Sequence, residues 1–443
     1  MFRFLLPKHC DHHALESRWG NVWRQIDSSQ PATREDIKPG DLSTCIHKDI
    51  LLRHRIMREI SLQETGGAPP LTKEMYSENG RKLLDFSLLL PFGACDDADS
   101  DSQDMLRIYG TDALRFAIAM QPGWPPGPSR LQGALTLANK FWNCLRFACM
   151  HLQGDEPLSP DLRSSSDMER WFLQRLNTTT AQLNEHFERN QLSSACARLQ
   201  YLVRHDLSGW FLESIRLHIG NPASRQCVRY VMLHIAHLLH PLMPNITQET
   251  FFRLSTSPQK LFLQHPFPEF RSELIFPQAT RRVEQLRKLV HSIRSLMGLH
   301  FIPAPSRITV ILTSNEPEIQ RLILAHAEDI CHLAGISNMR LDDPPPGHAI
   351  RTVSRSWSIS ILLDDSRIHD SIRVSLLKEK DDLSRRILRM QHKLGNRGFM
   401  DSIRTDTARR WKTRLRRDLR RRERVIRTLG MLTAPQSETM RKR

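Results

Sequence analysis

From residue 131 to about residue 254, apolar positions recur three and four apart, the spacing of helices that bury one face. The rows fall at 131–152, 168–187, 192–218 and 227–239, and Pro241 and Pro244 punctuate the end of the fourth. An all-α bundle is expected there, with a further helix at 280–299. The pattern then changes to a strand at 308–313, a helix at 318–334 and a second strand at 356–363, a small α/β module with a loop at Pro344-Pro345-Pro346. Upstream the periodicity is weak. Residues 1–105 read as irregular apart from two helical candidates. One is 13–25, with Leu15, Trp19, Val22 and Trp23 on or near one face; the other is 47–60, broken by the Gly and Pro residues of 66–70. An acidic low-complexity loop is expected at 96–104. A helix is expected at 108–120, ended by the Pro/Gly run of 121–128.

The C-terminal stretch has a different period. Leu376, Leu383 and Met390 recur every seven residues, as do Ile387 and Leu394, with Lys380 interrupting the second row. Trp411, Leu415, Leu419, Ile426 and Leu429 continue after the turn Gly395-Asn396-Arg397-Gly398. Such spacing closes an antiparallel coiled coil, with helices about 30 and 40 Å long at roughly 1.5 Å per residue.

Charge sharpens this picture. The chain carries a formal net charge of +16, yet residues 376–429 hold nineteen Lys or Arg against seven Asp or Glu, a balance of +12. Residues 404–429 alone hold twelve basic and three acidic residues, a balance of +9. A long basic two-helix arm suits a polyanion of similar length, nucleic acid above all. Arg410, Arg414, Arg417, Arg421 and Arg424 repeat at three and four and form one stripe suited to phosphates, joined near the turn by Lys393 and Arg397. The plain alternative is a solvated charged hairpin.

Composition excludes several other classes. At 443 residues with 40% hydrophobic content, two to four ordinary domains are expected. No run of eighteen apolar residues is present, so no membrane span is expected. The opening MFRFLLPKHCDHH lacks a secretory apolar region. The eight cysteines are scattered without a CxxC pair, as reduced thiols in the cytoplasm would be. HExxH, P-loop and GxGxxG motifs are absent. His234, His237 and His240 share an HxxHxxH spacing, but packing accounts for them, and no metal is expected.

Several motifs, taken in order, resemble the C-terminal half of a class I aminoacyl-tRNA synthetase of the valyl type. YGTDALRFAIAM (109–120) is similar to the family's helix after the KMSKS loop, and ANKFWNCLRF (138–147) to the helix leading out of the catalytic domain. ERWFLQRL (169–176), GWFLESIR (209–216) and HPLMPNITQETFFRL (240–254) resemble successive parts of the anticodon-binding bundle. The basic hairpin with KLGNRGFM (393–400) at its turn resembles the arm by which that family holds the tRNA elbow. Residues 105–430 carry the likeness. The N-terminal quarter matches in fragments: 15–23 resembles the family's opening helix, HKDILLRHRIM (47–57) the helix after the HIGH motif, and ENGRKLLDFS (78–87) sits where the family has its Gly-Arg-Lys-Met-Ser-Lys-Ser loop.

The expected domains are a truncated remnant of the class I catalytic domain (1–105), connecting helices (106–165), a helical anticodon-binding-like bundle (166–265), a small α/β linker module (266–372), a basic coiled-coil arm (373–432) and a basic tail (433–443). The fold class is therefore mainly α, with a vestigial nucleotide-binding-fold remnant at the start. Anticodons are read as splayed single-stranded bases by stacking and edge hydrogen bonds, so the resemblance makes Arg170, Trp171, Arg175, Trp210, Phe211 and Arg216 candidates. A core role for Trp171 and Trp210 is the competing account.

The catalytic chemistry is what the sequence lacks. No His-x-Gly-His is found. In the second ATP-framing loop Lys82 keeps the first lysine, while Leu83, Leu84, Asp85 and Phe86 fill the next four places, turning the second lysine into aspartate. At roughly 4 Å from a phosphate, that swap of attraction for repulsion is worth several kcal/mol at an effective dielectric of about 20. About twenty residues separate the two family-like fragments, too few for even one βαβ unit of about thirty residues. No amino-acid activation by this chain alone, no ATP or other cofactor, and tRNA as partner, with tRNA-Val the family's species, are expected. Three functions stay open: a stand-alone tRNA-binding module; a non-catalytic subunit supplying tRNA contacts in trans to a catalytic synthetase chain in valine–tRNA ligation; and a decayed or internally deleted ligase with no retained role.

Overall fold

The computed structural model describes residues 6–26, most of 43–58, and 100–433 apart from 122–124, 155, 256–261, 301, 303, 305, 344–349, 355, 363–365 and 396–404. The described residues are mostly helical, with a small four-stranded mixed sheet, as the hydrophobic spacing implies. The chain divides into two compact units, residues 1–283 and 284–443.

The first unit is helical. α1 (His12–Ile26), α2 (Ser100–Tyr109), α3 (Thr111–Met120), α4 (Pro128–His151), α5 (Asp167–Glu188), α6 (Leu192–Tyr201), α7 (Pro222–Leu239) and α8 (Pro244–Leu254) surround a core that includes Phe116, Phe141, Trp171, Phe172 and Phe211. Local chemistry sets several boundaries. Ser166 accepts from the Glu169 N–H while the Glu169 carboxylate accepts from the Ser166 N–H, a reciprocal cap that starts α5. Asn221 caps α7 and Pro222 takes the first helical position, where a missing N–H costs nothing. α6 runs on into a π-helical stretch, Leu202–Phe211. There Gly209 fits because a Cβ would lie 3.1 Å from the Arg204 carbonyl oxygen.

Two local expectations need correction. The helix expected at 108–120 is two helices, because Gly110 sits at φ 77, a conformation that L side chains resist. A Cβ there would also come within 2.9 Å of His12 Cβ, so the break is where α1 crosses. The acidic loop expected to reach residue 104 gives way to α2 at Ser100.

The described parts of the N-terminal quarter dock on this bundle. Trp19 Nε1 and Arg18 Nη1 each donate to Glu249 Oε2 of α8 at 3.1 Å. Glu16 accepts the Thr111 N–H at the start of α3. Trp142 Nε1 donates to the Pro7 carbonyl at 2.9 Å. Asp49 is buried and takes two arginines on one oxygen: Arg53 Nε at 2.9 Å and Arg115 Nη2 at 2.6 Å. Arg115 also donates to the Pro241 carbonyl at 2.9 Å, so one salt-bridged cluster ties residues 49–53 to α3 and the α7–α8 corner. Burial alone would raise the Asp49 carboxyl, but the two guanidiniums outweigh it and hold the group below the usual range. His54 stacks on Phe187 at 4.6 Å and meets the edge of Phe267 at 4.7 Å. Asp112 accepts the Asn245 and Ile246 N–H groups at 3.1 and 2.8 Å, serving as a tertiary cap for α8.

The second unit contains most of α9 (Pro277–Leu299), a sheet with two helices, and the hairpin. Strand order is β2-β1-β4-β3. β1 (Ser306–Thr313) runs parallel to β2 (Ile336–Leu341) across α10 (Pro317–Ala325) and α11 (Ala327–Ala334), and antiparallel to β4 (Ser358–Leu362), which pairs with β3 (Ile350–Val353). Two strands and one helix break escape the sequence pattern. β2 (ISNMRL) and the edge strand β3 (IRTV) carry no apolar–polar alternation in their residues, so neither shows the sequence signal of a half-buried strand. The expected helix at 318–334 breaks at His326.

α12 (Ser366–Gly395) and α13 (Thr405–Thr433) form the hairpin. It is antiparallel: Lys393 lies over Trp411 near the turn, while Glu379 pairs with Arg421 farther from it. The seam differs from expectation on the return helix. Leu376, Leu383 and Ile387 are buried as the heptads imply. Opposite them the buried positions are Asp418, Val425 and Thr428, while Leu419 is half-buried and Ile426 is 51% exposed. Leu419 and Ile426 are apolar but off the seam; the packed row runs Trp411, Leu415, Asp418, Arg422, Val425, Leu429, at alternating steps of four and three.

Candidate nucleic-acid interface

The arm supplies the charge. With the seam turned toward α12, Arg410, Arg414, Arg417, Arg421 and Arg424 fall on one flank of α13, and all five are exposed. Arg421 Nε lies 2.9 Å from Glu379 Oε1, which also stands 3.7 Å from Arg386. Arg410, Arg414, Arg417 and Arg424 form no ion pair among the described residues. Lys393 Nζ sits 5.1 Å from the Trp411 ring centroid, a cation–π contact near the turn end of the hairpin. The result is a row of guanidiniums on a rigid scaffold, suited to successive phosphates. Arg397 and Lys82 lie outside the described residues.

The bundle candidates separate into two groups. Trp171 and Phe211 are buried, Phe211 against Phe172 with ring centroids 4.4 Å apart, and Trp210 is 6% exposed. As placed, these rings belong to the core and present no open face to a base. Arg170 donates to the Leu162 carbonyl at 3.1 Å, which ties it to the loop before α5. Arg175 Nε lies 3.4 Å from Asp206, and Arg216 lies 3.5 Å from Glu213. The structure therefore brings Trp171, Arg175 and Asp206 together, with Arg175 5.8 Å over the Trp171 ring. It leaves Arg216 apart, over Phe147.

The three histidines have protein partners. His234 shares a hydrogen bond with Thr180 Oγ1 at 2.9 Å, His237 Nδ1 bonds the Leu233 carbonyl at 2.9 Å, and His240 Nδ1 bonds Thr247 Oγ1 at 2.8 Å. Burial lowers all three, His234 and His237 to about 3, so they sit in the core as neutral imidazoles. Cys144 is pushed up to about 12, and Cys10, Cys196 and Cys227 are raised as well, all chiefly by burial, which leaves them unreactive thiols. Among the described residues no helix is long and apolar enough to cross a membrane.

Comparison with known proteins fixes the class first. Residues 169–311 match the family model "Anticodon-binding domain of tRNA ligase". The stretch from α5 through most of β1 is thus similar to the anticodon-binding domain of class I tRNA ligases.

The relatives are more particular: over its C-terminal 70% the chain is homologous to valyl-tRNA synthetases at about 26% identity. It is 27% identical over 349 residues to the valine–tRNA ligase of Carboxydothermus hydrogenoformans, covering 75% of this chain and 39% of that protein. It is 29% identical over 314 residues to the valine–tRNA ligase of Geobacter sulfurreducens, covering 67% of this chain and 35% of the relative. The chain therefore spans between a third and two fifths of the length of the relatives it matches. A solved ternary complex, Agrobacterium radiobacter K84 agnB2 LeuRS-tRNA-LeuAMS, overlaps 58% of this chain and 28% of its own with a TM-score of 0.33 and 15% identity, too loosely to say anything of function.

Proposed function

We propose that this chain is a cytoplasmic tRNA-binding protein derived from a valyl-tRNA synthetase, holding tRNA through its basic arm and its anticodon-binding domain and lacking an adenylation or editing site of its own. The observation that carries the reading is the exposed arginine row on α13 in the same chain as an anticodon-binding domain. The arm supplies affinity through phosphates, and the bundle supplies choice among RNAs. tRNA-Val is the preferred species on this reading. The aspartate at the second lysine place of the ATP-framing loop supports the absence of adenylation.

The test is an anisotropy titration of the full chain with total tRNA and with tRNA-Val at two salt concentrations. Sub-micromolar binding that weakens with salt is expected. A variant with Arg410, Arg414, Arg417 and Arg424 changed to Ala should bind with a log–log salt slope reduced by roughly 3, at about 0.7–0.9 per phosphate contact. Absence of binding at low salt overturns the proposal. Stimulation of valine charging when a catalytic synthetase chain is added would extend it to a subunit acting in trans.

A further inference from the structure

Resting on the RNA-binding reading, we propose that Tyr201 and His205 form a stacking site for an unpaired base of RNA, with Arg198 and Arg175 beside them for its phosphate. Tyr201 ends α6 and His205 lies one turn on, inside the π-helical stretch, so both leave the same side of the bundle. Tyr201 is 45% exposed and His205 is exposed, with ring centroids 4.9 Å apart and planes at 39°. They differ in this from Trp171, Phe172 and Phe211, whose rings are buried. A preformed aromatic platform accepts any base because every base offers a π-face.

The neighbouring charge suits a nucleotide. Arg198 Nη2 donates to Thr179 Oγ1 at 3.0 Å, which fixes that guanidinium alongside α5. Arg175 reaches the buried Asp206 at 3.4 Å. Arg175, Asp206 and Tyr201 each act electrostatically on Arg198, which places that guanidinium in a field shared by the Arg175–Asp206 pair and the Tyr201 side chain. π-helical turns recur at functional sites, and this one holds Asp206 under the arginines while His205 faces outward. The whole group lies within residues 169–311, the part matched as an anticodon-binding domain. It is also distinct from the arm, where among the described residues of α13 the aromatic side chain is Trp411, half-buried in the seam.

The experiment compares two RNA probes of equal length on the full chain: a hairpin with a seven-nucleotide single-stranded loop, 2-aminopurine at its centre, and a blunt duplex. Tyr201→Ala/His205→Ala should weaken the hairpin about ten-fold or more, from stacking energies of roughly 1–3 kcal/mol per base. It should abolish the 2-aminopurine quench and leave duplex affinity unchanged. Tyr201→Phe should retain the quench, which separates loss of stacking from loss of fold. The Arg410/Arg414/Arg417/Arg424→Ala variant should weaken both probes together. Unchanged hairpin affinity in the double variant, with the duplex still bound, overturns the stacking site and leaves the tRNA-binding reading standing. Equal loss of hairpin and duplex also overturns the site. Failure of the unaltered chain to bind either probe overturns the reading and the site together.

Discussion

The first 58 residues and the C-terminal hairpin are both rich in charge, and they use it in opposite ways. At the N-terminal end, key charges are paired across to the bundle: Asp49 is 4% exposed and holds Arg53 and Arg115, while Arg18 reaches Glu249 of α8, which is 1% exposed and also holds Arg253. On α13 the arginines face water, and four of the stripe have no acid partner among the described residues. Buried pairs lock segments in place at a desolvation cost and make specific geometry; exposed rows contribute little to folding and stay available for an external anion. The N-terminal segments thus act as part of the bundle, and the arm acts outward.

Breaking the buried side of this contrast should have the largest effect. Asp49→Ala leaves two buried guanidiniums without their shared carboxylate, and the expected loss is about 3–5 kcal/mol of stability in the first unit. Denaturant melts monitored by tryptophan fluorescence would measure it. Binding of a blunt RNA duplex by the folded fraction should be unchanged. Equal melting midpoints for the variant and the unaltered chain would mean that the cluster does not lock residues 49–53 to the bundle.

Acid should act next. Burial lowers His54 from 6.5 to about 4 and His234 to about 3, so these groups are neutral in the folded chain. Their folded pKa values are depressed, so protons favour the unfolded chain once pH falls below 6.5. Stability of the first unit should decline from about pH 6.5 toward pH 4, by about 3 kcal/mol for a His54-sized shift. His54→Gln should flatten that limb in thermal melts taken across the range. A pH-independent melt over the same window would refute the neutral, buried assignment.

Glu16 opposes this with a slope of opposite sign. Burial, outweighing its hydrogen bonds to Thr111, raises its carboxyl from 4.5 to about 7. A raised folded value contributes stability below pH 4.5 that is lost as pH rises through 7. Glu16→Gln keeps an acceptor for the Thr111 N–H and removes the titration. It should gain up to about 3 kcal/mol relative to the unaltered chain at pH 8 and nothing at pH 4. Melts of both proteins at the two pH values would show whether the difference grows with pH.

The smallest effect concerns the arm. Asp418 is buried in the seam with Oδ2 lacking a hydrogen-bond partner among the described residues. Asp418→Leu should stabilise the hairpin by about 1–2 kcal/mol, since an unsatisfied buried acceptor is removed and the seam gains a hydrophobe. Slower amide exchange in α12 and α13 would register the gain. Faster exchange would show that the carboxylate is needed where it is.

Helices were legible in the sequence because burying one face of a helix leaves a three-and-four period in consecutive residues. α4, α5, α7, α9 and the hairpin follow from that period, with Ser166 and Pro222 marking starts. The concentration of arginine on one flank of α13 was legible for the same reason, since seam and flank are both functions of the 3.6-residue turn. What the sequence alone could not fix depended on contacts between distant segments. Gly110 breaks a continuous apolar pattern because α1 crosses there, ninety-eight residues away in the chain from His12. β2 and β3 carry no alternation of their own, and their pairing with β1 and β4 makes them strands. Trp171, Trp210 and Phe211 lie in the core while Tyr201 and His205 are exposed, which the sequence could not tell, because aromatic identity is a property of the residue and exposure is a property of what packs against it. Likewise Asp49 and Arg115 are 66 residues apart and meet because tertiary packing excludes water around both, which no local pattern encodes.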